Sequence, residues 1–172
     1  MTGAGGADAT GADGSSGPDP LAVETVRALR SARLTIATCE SLTAGLVAAT
    51  IATVPGASAV LRGGLITYAT DLKSALAGVQ ADLLEHRGAV DPDVAAQMAR
   101  GARTTCGATI GLSCTGVAGP DPQDGQPVGT VHLGLDREDA EPVVHRLSLA
   151  GDRDAIRRET VAACLRLVLS AL

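Results

Sequence analysis

The chain has 172 residues, 14 Lys+Arg against 19 Asp+Glu for a formal net charge of -5, and 45% hydrophobic residues, of which Tyr68 is the sole aromatic one. This length suits one domain with its own core. The acidic balance, the lack of a Lys/Arg-rich segment and the lack of rings on which bases could stack disfavour nucleic-acid binding, and no apolar run approaches the roughly 20 residues that span a bilayer. The N-terminus also lacks a basic region followed by an apolar one, so the expectation is a cytoplasmic protein without membrane association. Cys39, Cys106, Cys114 and Cys164 show no C-x-x-C pairing and read as free thiols of a reducing compartment. A core of Ala, Val, Leu and Ile must rely on close approach of helix to sheet, and the 21 glycines point to tight turns between short elements.

In chain order, residues 1–18 are Gly, Ala, Asp and Ser with almost nothing to bury. They are expected to be a disordered tail, dispensable for stability, ahead of a single folded domain over residues 19–172. Asp19 as N-cap and Pro20 as first helical residue open a helix to about Ala32, with Leu21, Thr25, Val26 and Leu29 on one face and Arg27, Arg30 and Arg33 near the negative dipole end. Residues 34–37 read as a buried strand, and a packed helix follows from Thr43 to about Thr53. A turn over 54–58 leads to a strand over 60–68, where Gly63-Gly64 signals either a bulge or a close approach to the backbone. Residues 71–77 form a short helix carrying Lys73, and 81–85 another helical turn. Asp91-Pro92 starts a helix whose face is Val94, Met98, Ala102 and Thr105, ended by Gly107. A central strand over 109–114 runs into a loop over 115–127 rich in Gly, Pro and Asp, long enough to suggest a second wall of a site. Residues 128–135 and 142–149 alternate like a hairpin joined by the charged turn 136–139. The last helix, from Asp152 to about Ser170, turns Ile156, Val161, Cys164, Leu165, Val168 and Leu169 inward. Alternating strands and helices followed by a hairpin predict an α/β fold, a three-layer α/β/α arrangement around a mixed sheet.

The polar stretch Thr38-Cys39-Glu40-Ser41-Leu42-Thr43-Ala44-Gly45 falls where the first strand turns into a helix. Such a turn offers unpaired N–H groups and a positive dipole end to an anion or oxyanion, with Ser41 placed to face it; the bland alternative is that Ser41 or Thr43 caps the helix. Cys39, two residues earlier, is an alternative nucleophile. Lys73 can take a serine proton if burial or a neighbouring cation lowers its pKa, and Tyr68 can relay that proton or donate to an anion, although a solvated Lys73 is an equally good reading. Thr115 and the glycines Gly116 and Gly119 follow a central strand, where open sheets bind ligands. Arg153 opens the last helix, suited to a phosphate or simply paired with Asp152 and Asp154. His86, His132 and His145 have no metal-ligand spacing, and no phosphate loop of the G-x-x-x-x-G-K-[ST] or G-x-G-x-x-G type is present, so neither metal nor cofactor is expected.

Glu40-Ser41-Leu42-Thr43-Ala44-Gly45, Gly63-Gly64 through Tyr68 to Lys73, Thr115-Gly116-Val117-Ala118-Gly119-Pro120 with Pro127-Val128-Gly129-Thr130-Val131, and Gly151-Asp152-Arg153 together resemble the C-terminal domain of the CinA family, which includes stand-alone nicotinamide-nucleotide amidohydrolases of the PncC type. The resemblance covers roughly residues 20–171. It implies metal-independent hydrolysis of the carboxamide of nicotinamide mononucleotide to nicotinic acid mononucleotide and ammonia, with Ser41 as nucleophile and Lys73 and Tyr68 activating it. Glu40, Thr43, Gly45, Gly64, Thr115, Gly116, Gly119 and Arg153 would be the substrate-binding set, Arg153 as a phosphate contact. Family members often have Cys and Gly where this chain has Leu42 and Ala44, Asn at Thr70, and a basic residue at Gln126. A nucleotide-binding or regulatory module without turnover is the competing reading, and an amidase for another small amide a third. The Ala-rich helix faces make a homo-oligomer plausible.

Overall fold

The computed structural model describes residues 17–138 and 140–172; most of the expected N-terminal tail, positions 1–16, lies outside them. The elements run α1 Pro20–Ala32, β1 Ile36–Glu40, α2 Leu46–Ala52, a 3-10 turn Ala57–Ala59, β2 Leu61–Ile66, α3 Thr70–Ala77, α4 Ala81–Arg87, α5 Pro92–Cys106, β3 Ile110–Gly116, β4 Thr130–Arg137, β5 Val143–Ser148 and α6 Arg153–Ser170. The strands form one sheet in the order β2-β1-β3-β4-β5. β2, β1 and β3 are parallel, and β4 and β5 are antiparallel, so the sheet is mixed, as strands alternating with helices and then a hairpin predict.

Alternation along the strands separates two cores. Ile36, Ile110, Leu112, Val131, Leu133 and Leu135 pack with Val26, Leu29, Val47, Ile156 and Leu165, which places α1, α2 and α6 on one face. Ala37 and Cys39 pack with Ala77, Leu84, Val94, Met98 and Ala102, which places α3, α4 and α5 on the other. The fold is thus a single three-layer α/β/α domain. α5 lies almost on the strands: a Cβ at Gly111 would stand 1.9 Å from the Ala99 carbonyl oxygen, and one at Gly134 2.4 Å from that of Ala95. Small residues permit this approach, as the near absence of aromatic side chains demands. Asp136 is not part of the turn expected for it; it belongs to β4 and pairs, buried, with Arg103.

Proline and aspartate signals place the helix starts well. Asp19 and Asp91 accept from the first N–H groups of α1 and α5, with proline at the first turn of each. Two details differ. Thr105 is exposed rather than on the buried face of α5, and Leu169 is only half-buried on α6 while Leu167 takes a place in the core. The strand start expected at 34–37 also moves: β1 runs to Glu40, because residues 37 to 40 find partners in both β2 and β3. The irregular register sits between Ile36 and Ala37 opposite β2, which leaves Arg62 unpaired there, just before the Gly63-Gly64 pair. No helix among the described residues is long and apolar enough to cross a membrane.

Candidate active site

The carboxyl ends of β2, β1 and β3 lie side by side, and the chain leaves β1 through α2 on one face and reaches β3 through α3, α4 and α5 on the other. Such a switch point opens a crevice beyond the strand ends. Here it is a cavity of about 100 Å³ walled by Ser41 and Leu42 after β1, Tyr68 after β2, Gly116 and Gly119 at the end of β3, and Arg153 of α6. A larger groove of about 600 Å³ runs between α1, α2 and α6, but its charged lining groups are already engaged: Asp19 caps α1 and Arg158 pairs with Asp154. The chemistry therefore converges on the smaller cavity.

Lys73 Nζ donates to Ser41 Oγ at 3.1 Å and to the Thr67 carbonyl at 2.7 Å. Lys73 is 1% exposed, so the reading of a solvated lysine on a short helix is overturned. α3 starts directly after β2 and brings its first turn under the end of β1, which carries the amine inward. Neither hydrogen-bond partner is charged. Burial pushes the lysine below its ordinary range, opposed first by Cys39, then by the charge of Asp124 and then by Cys114. A neutral amine in this place keeps one N–H on Thr67 and can turn its lone pair toward the serine hydroxyl.

The turn after β1 is not built as the sequence suggests. α2 begins at Leu46, not near Thr43, and neither Ser41 nor Thr43 caps it; Gly45 stands at the cap with φ 95° and no side-chain bond of its own. The cap is Glu40. Its carboxylate, 1% exposed, accepts from the N–H groups of Gly45 at 2.9 Å, Val47 at 3.0 Å and Ala48 at 2.9 Å, and from the hydroxyls of Thr43 at 2.7 Å and Thr38 at 3.1 Å. The positive end of α2 therefore already holds an anion, the protein's own, and is closed to a ligand. Glu40, Thr43 and Gly45 are thereby engaged with one another and hold the turn in shape from beneath. The N–H groups of Leu42 and Thr43, next after the serine, have no hydrogen-bond partner among the described residues, which leaves them available to an oxyanion.

Tyr68 is 55% exposed and lies past the end of β2. Its hydroxyl is bonded to Arg153 Nη2 at 2.8 Å, while Arg153 Nη1 donates to the Gly119 carbonyl at 2.9 Å. Tyr68 shares the cavity with Ser41 but has no hydrogen bond to Lys73, so the expected relay between them is absent in this geometry. Asp152 caps α6 and Asp154 pairs with Arg158, which leaves Arg153 to the cavity and overturns its pairing with either acid.

Three other expected site residues are structural. The Thr115 hydroxyl donates to the Ala89 carbonyl at 2.7 Å and is buried. A Cβ at Gly64 would lie 2.6 Å from Thr38 Oγ1, so the close approach at that glycine is made by a neighbouring strand rather than a ligand. Cys39 is fully buried and burial pushes its thiol up to about 12, which removes it as a nucleophile. Among the described residues no group of three or more His, Cys, Asp or Glu side chains is placed to hold a metal ion.

The family model of the CinA C-terminal domain matches residues 18–172. The chain belongs to the CinA C-terminal domain family. It is 49% identical over 134 residues to a CinA-like protein of Frankia casuarinae, covering 78% of this chain and 31% of that protein. It is 45% identical over 151 residues to a CinA-like protein of Geobacter sulfurreducens, covering 87% and 36%. The chain thus spans about a third of the length of these curated relatives. Among solved structures, the competence/damage inducible protein CihA of Agrobacterium tumefaciens superposes with a TM-score of 0.84 at 33% identity, over 87% of this chain and 92% of that one. A competence-damaged protein (CinA) superfamily protein of Escherichia coli gives 0.84 at 27% identity, over 88% of each.

Within this CinA domain the sequence carried two signals beyond the motifs. Lys73 is the only lysine among the 14 Lys+Arg, so every other cation in the chain is an arginine. A chain that uses arginine for its surface charge and lysine once, in its interior, marks that residue for chemistry that needs a titratable amine. Asp124-Gly125 between two glutamines is the second, a tight-turn signature inside the long loop.

Proposed function

We propose that this chain is a serine amidohydrolase that cleaves a small carboxamide, with nicotinamide mononucleotide as the substrate implied by its family resemblance and nicotinic acid mononucleotide and ammonia as products. The observation that supports it is the Ser41–Lys73 contact, a hydroxyl and a buried amine without a carboxylate partner at the edge of a cavity.

Neutral Lys73 takes the Ser41 proton as Oγ attacks the carboxamide carbon, and the oxyanion falls to the N–H groups of Leu42 and Thr43. The lysine ammonium then returns its proton to the leaving nitrogen, which departs as ammonia and leaves an acyl-serine. A water molecule, deprotonated by the same amine, attacks the acyl carbon and restores Ser41. Arg153, across the cavity from Ser41, offers its guanidinium to a substrate phosphate once Tyr68 releases it.

The other reading is a nucleotide-binding module without turnover, and both readings meet the same constraint. The cavity of about 100 Å³ is smaller than ordinary ligand sites of about 300–1,000 Å³, so a nucleotide has to open the Tyr68–Arg153 contact to enter. The test is to incubate the purified protein with nicotinamide mononucleotide and measure ammonia. Ammonia release that is lost in Ser41→Ala supports the amidohydrolase; saturable binding without ammonia supports the module.

A further inference from the structure

Between its backbone-bonded ends, the wall of the cavity formed by residues 117–129 has two further fixed points. Arg153 holds the first, through the Gly119 carbonyl. The second is a small hairpin in which Gln123 and Gln126 exchange backbone hydrogen bonds, Gln126 N–H to Gln123 O at 2.8 Å and Gln123 N–H to Gln126 O at 3.2 Å. Asp124 and Gly125 are its two central residues, with φ 51° and 71°, the positive-φ pair that a type I′ turn requires.

The side chain of Asp124 leaves this turn toward the link between α4 and α5. Its Oδ2 accepts from the Ala89 N–H at 2.7 Å, and it fills the space over Gly88, where a Cβ would stand 2.7 Å from Asp124 Cβ and Cγ. The other side of the same peptide stretch is fixed as well, since the Ala89 carbonyl accepts from Thr115 at the end of β3. Asp121 and Gln123, on the hairpin's approach, line the cavity with Ser41. The hairpin, the α4–α5 link and the end of β3 are thereby locked together beside the Ser41–Lys73 contact.

We propose that Asp124 is a positioning residue for the Ser41–Lys73 pair: pegged over Gly88 and bonded to the Ala89 N–H, its carboxylate fixes the hairpin that walls the cavity and brings a negative charge into that wall. The inference deepens the amidohydrolase reading and rests on it only for its consequence in turnover. The groups that act on Lys73 are few. Among the described residues Cys39 of β1 acts most, followed by Asp124, the one carboxylate, and then Cys114 of β3. Tyr68, Asp121 and Arg153 stand around the cavity, and α4 and α5 contribute apolar side chains such as Leu84, Val94 and Met98 to that layer. Desolvation keeps the amine neutral but weakens it as a base, while its ammonium gives the proton back readily; a carboxylate in the wall restores part of its hold on the proton, so that one group can do both.

Because Lys73 is the only lysine, protein grown with lysine carbon-13 labelled at Cε gives one titrating resonance, and the test needs no substrate. Asp124→Asn keeps an oxygen for the Ala89 N–H but removes the charge. Its Lys73 resonance is expected to titrate at lower pH than in the parent, with the Ala89 amide still protected from hydrogen exchange. In Asp124→Ala the Ala89 amide is expected to exchange on the order of tenfold faster, as the loss of one hydrogen bond implies. If Asp124→Ala does not fold, the titration of Asp124→Asn decides alone. A Lys73 midpoint unchanged or raised in Asp124→Asn overturns the proposal, as does equal Ala89 protection in a folded Asp124→Ala. If the parent releases no ammonia while both shifts are seen, the amidohydrolase reading fails and the role of Asp124 in the wall and on the amine stands.

Discussion

The Tyr68 hydroxyl accepts from Arg153 Nη2 at 2.8 Å, a contact between residues 85 positions apart that closes the mouth of the cavity. It sets the aromatic ring apart from the Lys73 amine, so Tyr68→Phe is expected to act mainly on KM, with a kcat loss below about tenfold. Lys73→Met, which removes the general base, is expected to cost about 10²- to 10⁴-fold in kcat. Steady-state kinetics of the two variants distinguishes the roles. Equal losses in kcat would mean that proton transfer runs through both groups.

The pH dependence follows from the same lysine. Its pKa lies below the ordinary value because the site is desolvated, so the rate should fall as pH drops through that lowered pKa and the amine becomes protonated. The effect on stability has the same sign. An unfolded lysine binds its proton up to a pH of about 10.4, so the folded state gives up stability as pH falls from there toward the lowered value. Lys73→Met should therefore raise Tm at neutral pH while abolishing most turnover, and a lowered Tm would argue that the amine is charged and paired in the native state.

Glu40 is expected to govern stability before binding. Glu40→Ala leaves three N–H groups, one of them fully buried, and two buried hydroxyls without their acceptor, a loss on the order of 3 kcal/mol or more in urea unfolding. Glu40→Gln, which keeps an oxygen, should cost less. A Glu40→Ala protein of parental stability that no longer binds nucleotide would return Glu40 to the substrate-binding set.

The close seat of α5 makes its facing glycines intolerant. Gly111→Ala puts a methyl group into the Ala99 carbonyl, and a loss of about 1–3 kcal/mol or more is expected. Gly78→Ala meets nothing within 4 Å but keeps φ 67°, so only the left-handed backbone opposes it, at about 1–2 kcal/mol. Denaturant midpoints measured side by side test the order of the two.

His132 adds an acid-sensitive element. The ring is buried on β4, and Nδ1 has no hydrogen-bond partner among the described residues. Burial lowers its pKa, Arg146 lowers it further and Asp91 opposes them. Its contribution to stability is then complete above the unfolded value of about 6.5 and is lost as pH falls from there to the lowered folded value. His132→Leu should flatten the decline of Tm in that window, and an unchanged slope would assign the decline to other groups.

Local chemistry was enough to read much of this protein from its sequence. Asp19-Pro20 and Asp91-Pro92 mark helix starts because cap and φ restriction act within one turn, and Gly78 and Gly107 mark ends for the same reason. The motifs that carry Ser41 and Lys73 were legible as well, and the alternation of strands and helices specified the layered fold. What each site residue touches was not legible, because those contacts are made across the sheet. Glu40 lies in a strand, outside the spacing from which a capping side chain is read, yet the start of α2 folds back over it. Thr115 reads as a ligand hydroxyl until the α4–α5 link brings Ala89 to it, and Lys73 reads equally as a base or a solvated lysine until α3 tucks beneath the end of β1. Burial and partner choice depend on which segments the fold brings together, and that decision belongs to tertiary packing.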